Sequence, residues 1–233
     1  MAAQKKLKMG MVGGGPGAFI GAIHRSAALM DGLIEITAGS FSSNPDKTRQ
    51  AGEELMLDPA RVYGTYEEMY EKESQLPEGQ RMDVVAIVTP NHMHAPVAMQ
   101  FLKRGIHVIC DKPLTATLSE AKKLAKAAEA SGVVFALTHN YTGYPMIRQA
   151  KAMIANGELG DLRLVNVEYV QDWLTEPVDN KQADWRTDPA RSGAGGSTGD
   201  IGTHAFNLAN FVTGLTLDTL AADLTAFVPG RRV

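Results

Sequence analysis

Short apolar runs alternate with longer amphipathic stretches from residue 7 to residue 137, and no other feature restricts the fold as much. Residues 7–12, 34–41, 83–88, 106–110 and 133–137 read as strands. Between them, residues 18–30 read as a helix, and Asn44 followed by Pro45 reads as an N-cap opening a polar helix to about Leu57. Thr65 with Glu68, and Thr117 with Glu120, are capping boxes; the first opens a short helix and the second a helix running to Ser131. A further helix covers about residues 95–104. Strands this apolar must be covered on both faces, which is the pattern of a parallel sheet. Right-handed crossovers then give an open, doubly wound α/β sheet.

The pattern changes near residue 140. A helix over 145–156 is followed by a strand over 162–172, a polar glycine-rich region to Gly202, a helix around 205–213 and another strand over 219–228. The expectation is two domains: a dinucleotide-binding domain over 1–140, and over 141–233 the start of an α+β domain with a mostly antiparallel sheet. The 233 residues carry 23 Lys and Arg against 26 Asp and Glu, a formal charge of −3. With no long basic run, that charge argues against nucleic acid as the main partner. No apolar run approaches the length of a membrane helix. Lys5, Lys6 and Lys8 resemble the start of a signal peptide, but six glycines and a proline in residues 10–21 make a poor helical signal core. With Cys110 as the one cysteine, a reducing, cytoplasmic location is expected.

The first βα turn reads Gly13-Gly-Gly15-Pro-Gly17-Ala18, with Phe19 and Ile20 opening the helix. It fits G-x-G-x-x-G/A with Ala18 as the small third residue. The first glycine permits the tight turn, the second lets backbone approach a pyrophosphate, and the third lets the helix pack on the strand. Alone, such a motif also fits a flexible turn; here it follows a strand, opens a helix and begins a βαβ run, as dinucleotide binding requires. An acidic residue at the exit of the second strand, which would hold a ribose 2′-hydroxyl, is missing. That exit carries Ser42, Ser43 and Asn44, with Lys47 and Arg49 close behind. Hydroxyls and cations suit a 2′-phosphate, so NADP stands beside NAD as the expected cofactor, although both cations also fit a solvated helix face.

Thr89-Pro90-Asn91-His92-Met93-His94 follows the third strand, and Asp111-Lys112-Pro113-Leu114 follows the fourth. Ligands bind at the carboxyl ends of strands in open α/β sheets. A lysine there can donate to a substrate oxygen and stabilise developing negative charge; an ordinary exposed turn lysine is the competing reading. Asp200 and His204 lie four apart and share one face if a helix begins near them. A histidine beside a carboxylate can shuttle protons near neutral pH; a capping Asp with a packed His fits equally well.

In this order and at these intervals, the glycine turn, the Thr89 motif, the Asp-Lys-Pro motif and Gly195-Gly-x-x-Gly-Asp200-x-Gly-x-His204 resemble the glucose–fructose oxidoreductase, inositol dehydrogenase and rhizopine catabolism (Gfo/Idh/MocA) oxidoreductases. The resemblance covers nearly the whole chain. It implies an NAD- or NADP-dependent oxidoreductase moving hydride between a sugar or cyclitol hydroxyl carbon and a nicotinamide. Lys112 matches the family's catalytic lysine, with Asp111 replacing the more frequent Glu, and the Lys112–Pro113 bond is expected to be cis. Asp200 and His204 match the family's Asp and His: His204 takes the hydroxyl proton, Lys112 hydrogen-bonds the same oxygen, and Asp200 anchors a neighbouring hydroxyl. Gly13, Gly15, Gly17, Ala18, Phe19, Ile20, Ser42, Ser43, Lys47, Thr89, Pro90, Asn91, His94, Asp111 and Lys112 are expected along the cofactor. Tyr141, Trp185 and Arg186, with Asp200 and His204, are expected at the substrate; Trp173 lies in the same segment, with core packing its competing role. Relatives continue further and form homo-oligomers through the C-terminal sheet, so the second domain is expected to be partial. Two alternatives differ in class. One is a non-catalytic dinucleotide- or sugar-binding regulator. The other is a metal-dependent hydrolase using His92 and His94.

Overall fold

The computed structural model describes residues 5–229 and divides into two compact units, with the break between Leu137 and Thr138. The first unit contains five parallel strands: β1 (Leu7–Gly13), β2 (Ile34–Ser40), β3 (Val84–Val88), β4 (His107–Cys110) and β5 (Phe135–Leu137), in the order β2-β1-β3-β4-β5. Five helices connect or flank them: α1 (Phe19–Met30), α2 (Pro45–Glu54), α3 (Tyr66–Gln75), α4 (His94–Leu102) and α5 (Leu118–Ser131). Beyond β2, Val62 forms a single parallel bridge with Gly39, and the Tyr63 N–H donates to Gly39 O at 2.8 Å. Counting that bridge as a residual strand gives the order of a dinucleotide-binding sheet, in which the chain reverses direction across the sheet between β1 and β3.

The alternation along β3 explains why both sheet faces are covered. All five of its residues are buried. Val84, Ala86 and Val88 join one apolar cluster with Met9, Met11 and Phe41, against which Ile20 of α1 packs. Val85 and Ile87 face the other way, into a cluster with Val97, Ala98 and Phe101 of α4 and Leu124 of α5. The expected caps are present. The Asn44 side chain accepts from Asp46 and Lys47 N–H, Thr65 accepts from Glu68 N–H, and Thr117 accepts from Glu120 N–H. Gly132, at φ 69°, ends α5 in the left-handed region that favours glycine.

The second unit is helical and irregular. It contains α6 (Pro145–Ala155), the short α7 (Lys181–Arg186) and α8 (Pro189–Ser192), and α9 (Thr203–Thr213), entered through a π-helical turn at Thr198–Gly202. The strands expected over 162–172 and 219–228, and with them the antiparallel sheet, are not found: neither segment pairs with another among the described residues. A strand exists through its neighbour's hydrogen-bond ladder, and apolar alternation alone cannot supply one. Leu164, Val170, Leu220, Leu224 and Phe227 accordingly stand exposed. Among the described residues no helix is long and apolar enough to cross a membrane.

One buried charge ties the first unit's flank together. Glu73 of α3 is 0% exposed. It accepts from Arg61 Nε at 2.8 Å and from a second Arg61 nitrogen, from Tyr63 Oη at 2.8 Å, and from Met82 N at 3.0 Å. Burial and the adjacent carboxylate push the Tyr63 phenol well above its ordinary pKa, so it stays a donor. Removing one partner of a buried ion pair strands the other. Glu73→Ala is therefore expected to cost about 3–5 kcal/mol in chemical denaturation followed by circular dichroism.

Candidate active site

In a parallel sheet all strands end at one edge, and the motifs singled out in the first unit emerge there. The β1 turn approaches its surroundings at backbone distance. Gly13 has φ 85°, and a Cβ on it would lie 2.8 Å from Val88 O. A Cβ on Gly15 would lie 2.7 Å from Phe41 O, which accepts the Gly15 N–H at 3.0 Å. Helix α1 has no side-chain cap at Ala18 and no acidic residue in its first turn, which leaves its positive end open to an anion. Arg25 of α1 donates to Gly14 O at 2.9 Å and braces the turn from beneath. Beside it the Thr89 hydroxyl oxygen is buried with no hydrogen-bond partner among the described residues. A cradle that a Cβ would fill and a buried hydroxyl at the switch point suit a dinucleotide.

The close helix packing falls on a residue the motif reading passed over. Ala18 is the N-cap of α1, while a Cβ on Gly21 would lie 2.4 Å from Gly14 Cα. The signal was a glycine three residues into a helix, where it is otherwise unfavourable.

At the β2 exit, Ser42 N–H donates to Thr48 Oγ1, and the Ser42 hydroxyl accepts from Asn44 N–H. Arg49 pairs with Asp46 at 2.8 Å. Ser43 and Lys47 are exposed. Much of the hydroxyl and cation set expected for a 2′-phosphate thus serves the turn itself, and Asp46 adds a carboxylate to the first turn of α2.

Asn91 is buried in a 3-10 turn at Asn91–Met93. Lys112 is half-buried in the turn after β4, and the Lys112–Pro113 peptide is cis. Asp111 N–H donates to Ile87 O at 2.9 Å, and its carboxylate lies 3.6 Å from His24 Nε2 of α1. His94 is 1% exposed, with Nδ1 2.7 Å from Pro113 O and Nε2 2.9 Å from Thr89 O. Its polar atoms are committed to two backbone carbonyls rather than directed along a cofactor. The same commitment removes His94 from a ligand pair with His92, and no group of three or more His, Cys, Asp or Glu residues that could hold a metal occurs among the described residues.

In the second unit, His204 of α9 is buried among aromatic rings. Tyr141 lies 4.7 Å away between centroids, His139 5.6 Å and Tyr169 6.2 Å. The Tyr141 and Tyr169 hydroxyls are 2.6 Å apart. That hydrogen bond, with burial, pushes the Tyr141 phenol up to about 12, so it is neutral at physiological pH. Tyr169 went unnoticed in the sequence. Tyr169 falls in the segment expected as a strand, where an aromatic residue reads as sheet packing. Asp200 lies in a π-helical turn rather than the α-helix expected to carry it together with His204. The Thr203 N–H bonds to Thr198 O five residues back, which marks the wider turn. Asp200 instead accepts from Arg186 Nε at 3.1 Å. The Arg186 guanidinium lies 4.2 Å from the Trp185 ring centroid and 5.7 Å from that of Trp173. The tryptophans thus hold the cation that holds Asp200.

Gly21→Ala is expected to weaken NADH binding by at least about tenfold in a fluorescence titration, because the obstructing atom is backbone and α1 must retreat from the turn.

Comparison with known proteins agrees with this architecture. The description "Oxidoreductase family, NAD-binding Rossmann fold" matches residues 7–141, and "GFO/IDH/MocA C-terminal domain" matches residues 147–233. An oxidoreductase from Sinorhizobium meliloti is 56% identical, with a TM-score of 0.86 over 99% of this chain and 59% of that one. An inositol dehydrogenase homologue from Azotobacter vinelandii, solved with NADH and myo-inositol, is 38% identical, with a TM-score of 0.83 over 90% of this chain and 52% of that one. Levoglucosan dehydrogenase from Pseudarthrobacter phenanthrenivorans is 30% identical over 97% of this chain and 56% of its own length. The chain therefore spans between half and three fifths of the length of these relatives. With its fingerprint turn at the switch point of a parallel sheet and both family descriptions matched in order, the chain belongs to the GFO/IDH/MocA family of oxidoreductases.

Proposed function

We propose that this protein is an NAD-dependent dehydrogenase of sugars or cyclitols. The observation that carries the reading is the backbone cradle at Gly13, Gly15 and Gly21, set beside the buried Thr89 hydroxyl at the sheet's switch point. NAD is favoured over NADP because Ser42 and Arg49 are engaged within their own turn and helix, and Asp46 would oppose a 2′-phosphate. The related inositol dehydrogenase homologue and levoglucosan dehydrogenase, both solved with NADH, support the same cofactor and a polyhydroxylated substrate.

The residue roles follow the family motifs. When bound, the nicotinamide supplies a hydride acceptor. Gly13, Gly15 and Gly17 with the amide end of α1 hold the pyrophosphate, and Thr89, Pro90 and Asn91 border the nicotinamide half. Lys112 donates to the reacting substrate oxygen and stabilises it as charge develops. His204 accepts the hydroxyl proton, its ring held by Tyr141 and Tyr169. Asp200, oriented by Arg186, accepts from a neighbouring hydroxyl. A cytoplasmic setting fits the single, buried Cys110.

A panel of sugars and cyclitols with NAD and with NADP, read by absorbance of the reduced nicotinamide, tests the proposal. Turnover with at least one polyol and NAD is expected; binding of NADH without turnover on any of them would exclude a dehydrogenase. Lys112→Ala and His204→Ala are each expected to lower turnover about 10²–10⁴-fold while the NADH dissociation constant stays within about threefold. Near wild-type turnover in either variant removes that residue from the mechanism.

A further inference from the structure

His94 has an unusual pair of neighbours. Both ring nitrogens lie at hydrogen-bond distance from peptide carbonyls, Nδ1 from Pro113 O at 2.7 Å and Nε2 from Thr89 O at 2.9 Å. Carbonyls only accept, so a neutral ring donates to one of them and an imidazolium to both. Burial, reinforced by His92, pulls its pKa below the ordinary histidine value, while the two carbonyls and Asp111 pull the other way. In either state the ring is packed between two turns at the sheet's carboxyl edge and is bonded to at least one of them. One turn leaves β3 at Thr89. The other leaves β4 and carries Lys112.

The second turn is anchored on both sides of Lys112. Asp111 N–H is bonded to Ile87 O, and the Asp111 carboxylate lies 3.6 Å from His24. These hold the residue before Lys112, and His94 holds the residue after it. The lysine stem starts from this backbone, so moving the turn moves the region its ammonium can reach. A buried imidazole in van der Waals contact on all sides is a stiff spacer, and His94 is 1% exposed.

We propose that His94 is a positioning residue for Lys112: its imidazole, donating to Pro113 O, sets the height of the Lys112 turn against the turn at Thr89. Its relevance to turnover rests on the reading of Lys112 as the donor to the substrate oxygen; its effect on Lys112 does not.

The test uses the full chain with its lysines carrying 13C-labelled methyl groups. The Lys112 resonance is assigned by its loss in Lys112→Arg. His94→Leu keeps much of the side-chain volume and removes the donor, whereas His94→Gln keeps an N–H donor. The Lys112 resonance is expected to move in His94→Leu and to return towards wild type in His94→Gln. In turnover, His94→Leu is expected to lose about 10–100-fold in kcat with NADH affinity within about threefold, and the loss is not added to that of Lys112→Ala in the double variant. A folded His94→Leu with an unmoved Lys112 resonance overturns the proposal, and so does an equal displacement in both variants. Should His94→Leu fail to fold, His94→Asn, whose donor is too short to bridge, is compared with His94→Gln in the same way. Full turnover in Lys112→Ala would overturn the catalytic reading alone, since the resonance reports on His94 independently.

Discussion

The parallel pairing of β1 with β3 is the constraint from which the rest of the first unit follows. A parallel ladder sends every strand towards one edge, and the chain reverses its direction across the sheet between these two strands. The glycine turn, the Thr89 motif and the Lys112 turn are separated by tens of residues in the chain, yet all leave the sheet at that edge. The same pairing buries both faces of β3, so helices must lie on each side. It also brings backbone against backbone. Gly14 and Gly21, and Gly15 and Phe41, approach too closely for a side chain, and this leaves the end of α1 open toward a ligand.

Several buried polar groups in this protein are held by named partners, and these commitments carry mechanical consequences. Glu73 gathers Arg61 and Tyr63 from one segment and the Met82 amide from another. His94 spans two carbonyls on consecutive crossovers. In the second unit, Asp200 receives Arg186, which lies against two tryptophan rings, while Tyr141 and Tyr169 share a hydrogen bond beside His204. In each case an unpaired partner in a low-dielectric site would cost more than the pair gains in isolation. Side-chain orientation near the candidate catalytic groups is thereby settled by hydrogen bonding as much as by apolar packing.

The first unit was legible because its signals are local. Five apolar runs, two capping boxes, the Asn44-Pro45 start and the glycine turn act within a few residues of themselves, and their elements appear within a few residues of where they were expected. The second unit was legible only in part. The helices over 145–156 and 205–213 carry amphipathic patterns of their own and are present. The strands over 162–172 and 219–228 are absent, because a strand needs a partner that no local pattern specifies. The helix through Asp200 holds a π turn, which sequence spacing assumed to be α-helical.

The sequence by itself determined the parallel α/β class and the glycine-rich turn that opens it. These rest on periodicity, conformational preference and side-chain chemistry, all properties of short segments. Only the tertiary structure decided that Gly21 rather than Ala18 meets the turn, that His94 braces carbonyls, that Arg186 belongs to Asp200, and that Tyr169 and His139 flank His204. Those are contacts across sequence separations that no window contains, and they are selected by close packing and by the cost of burying a polar group without a partner.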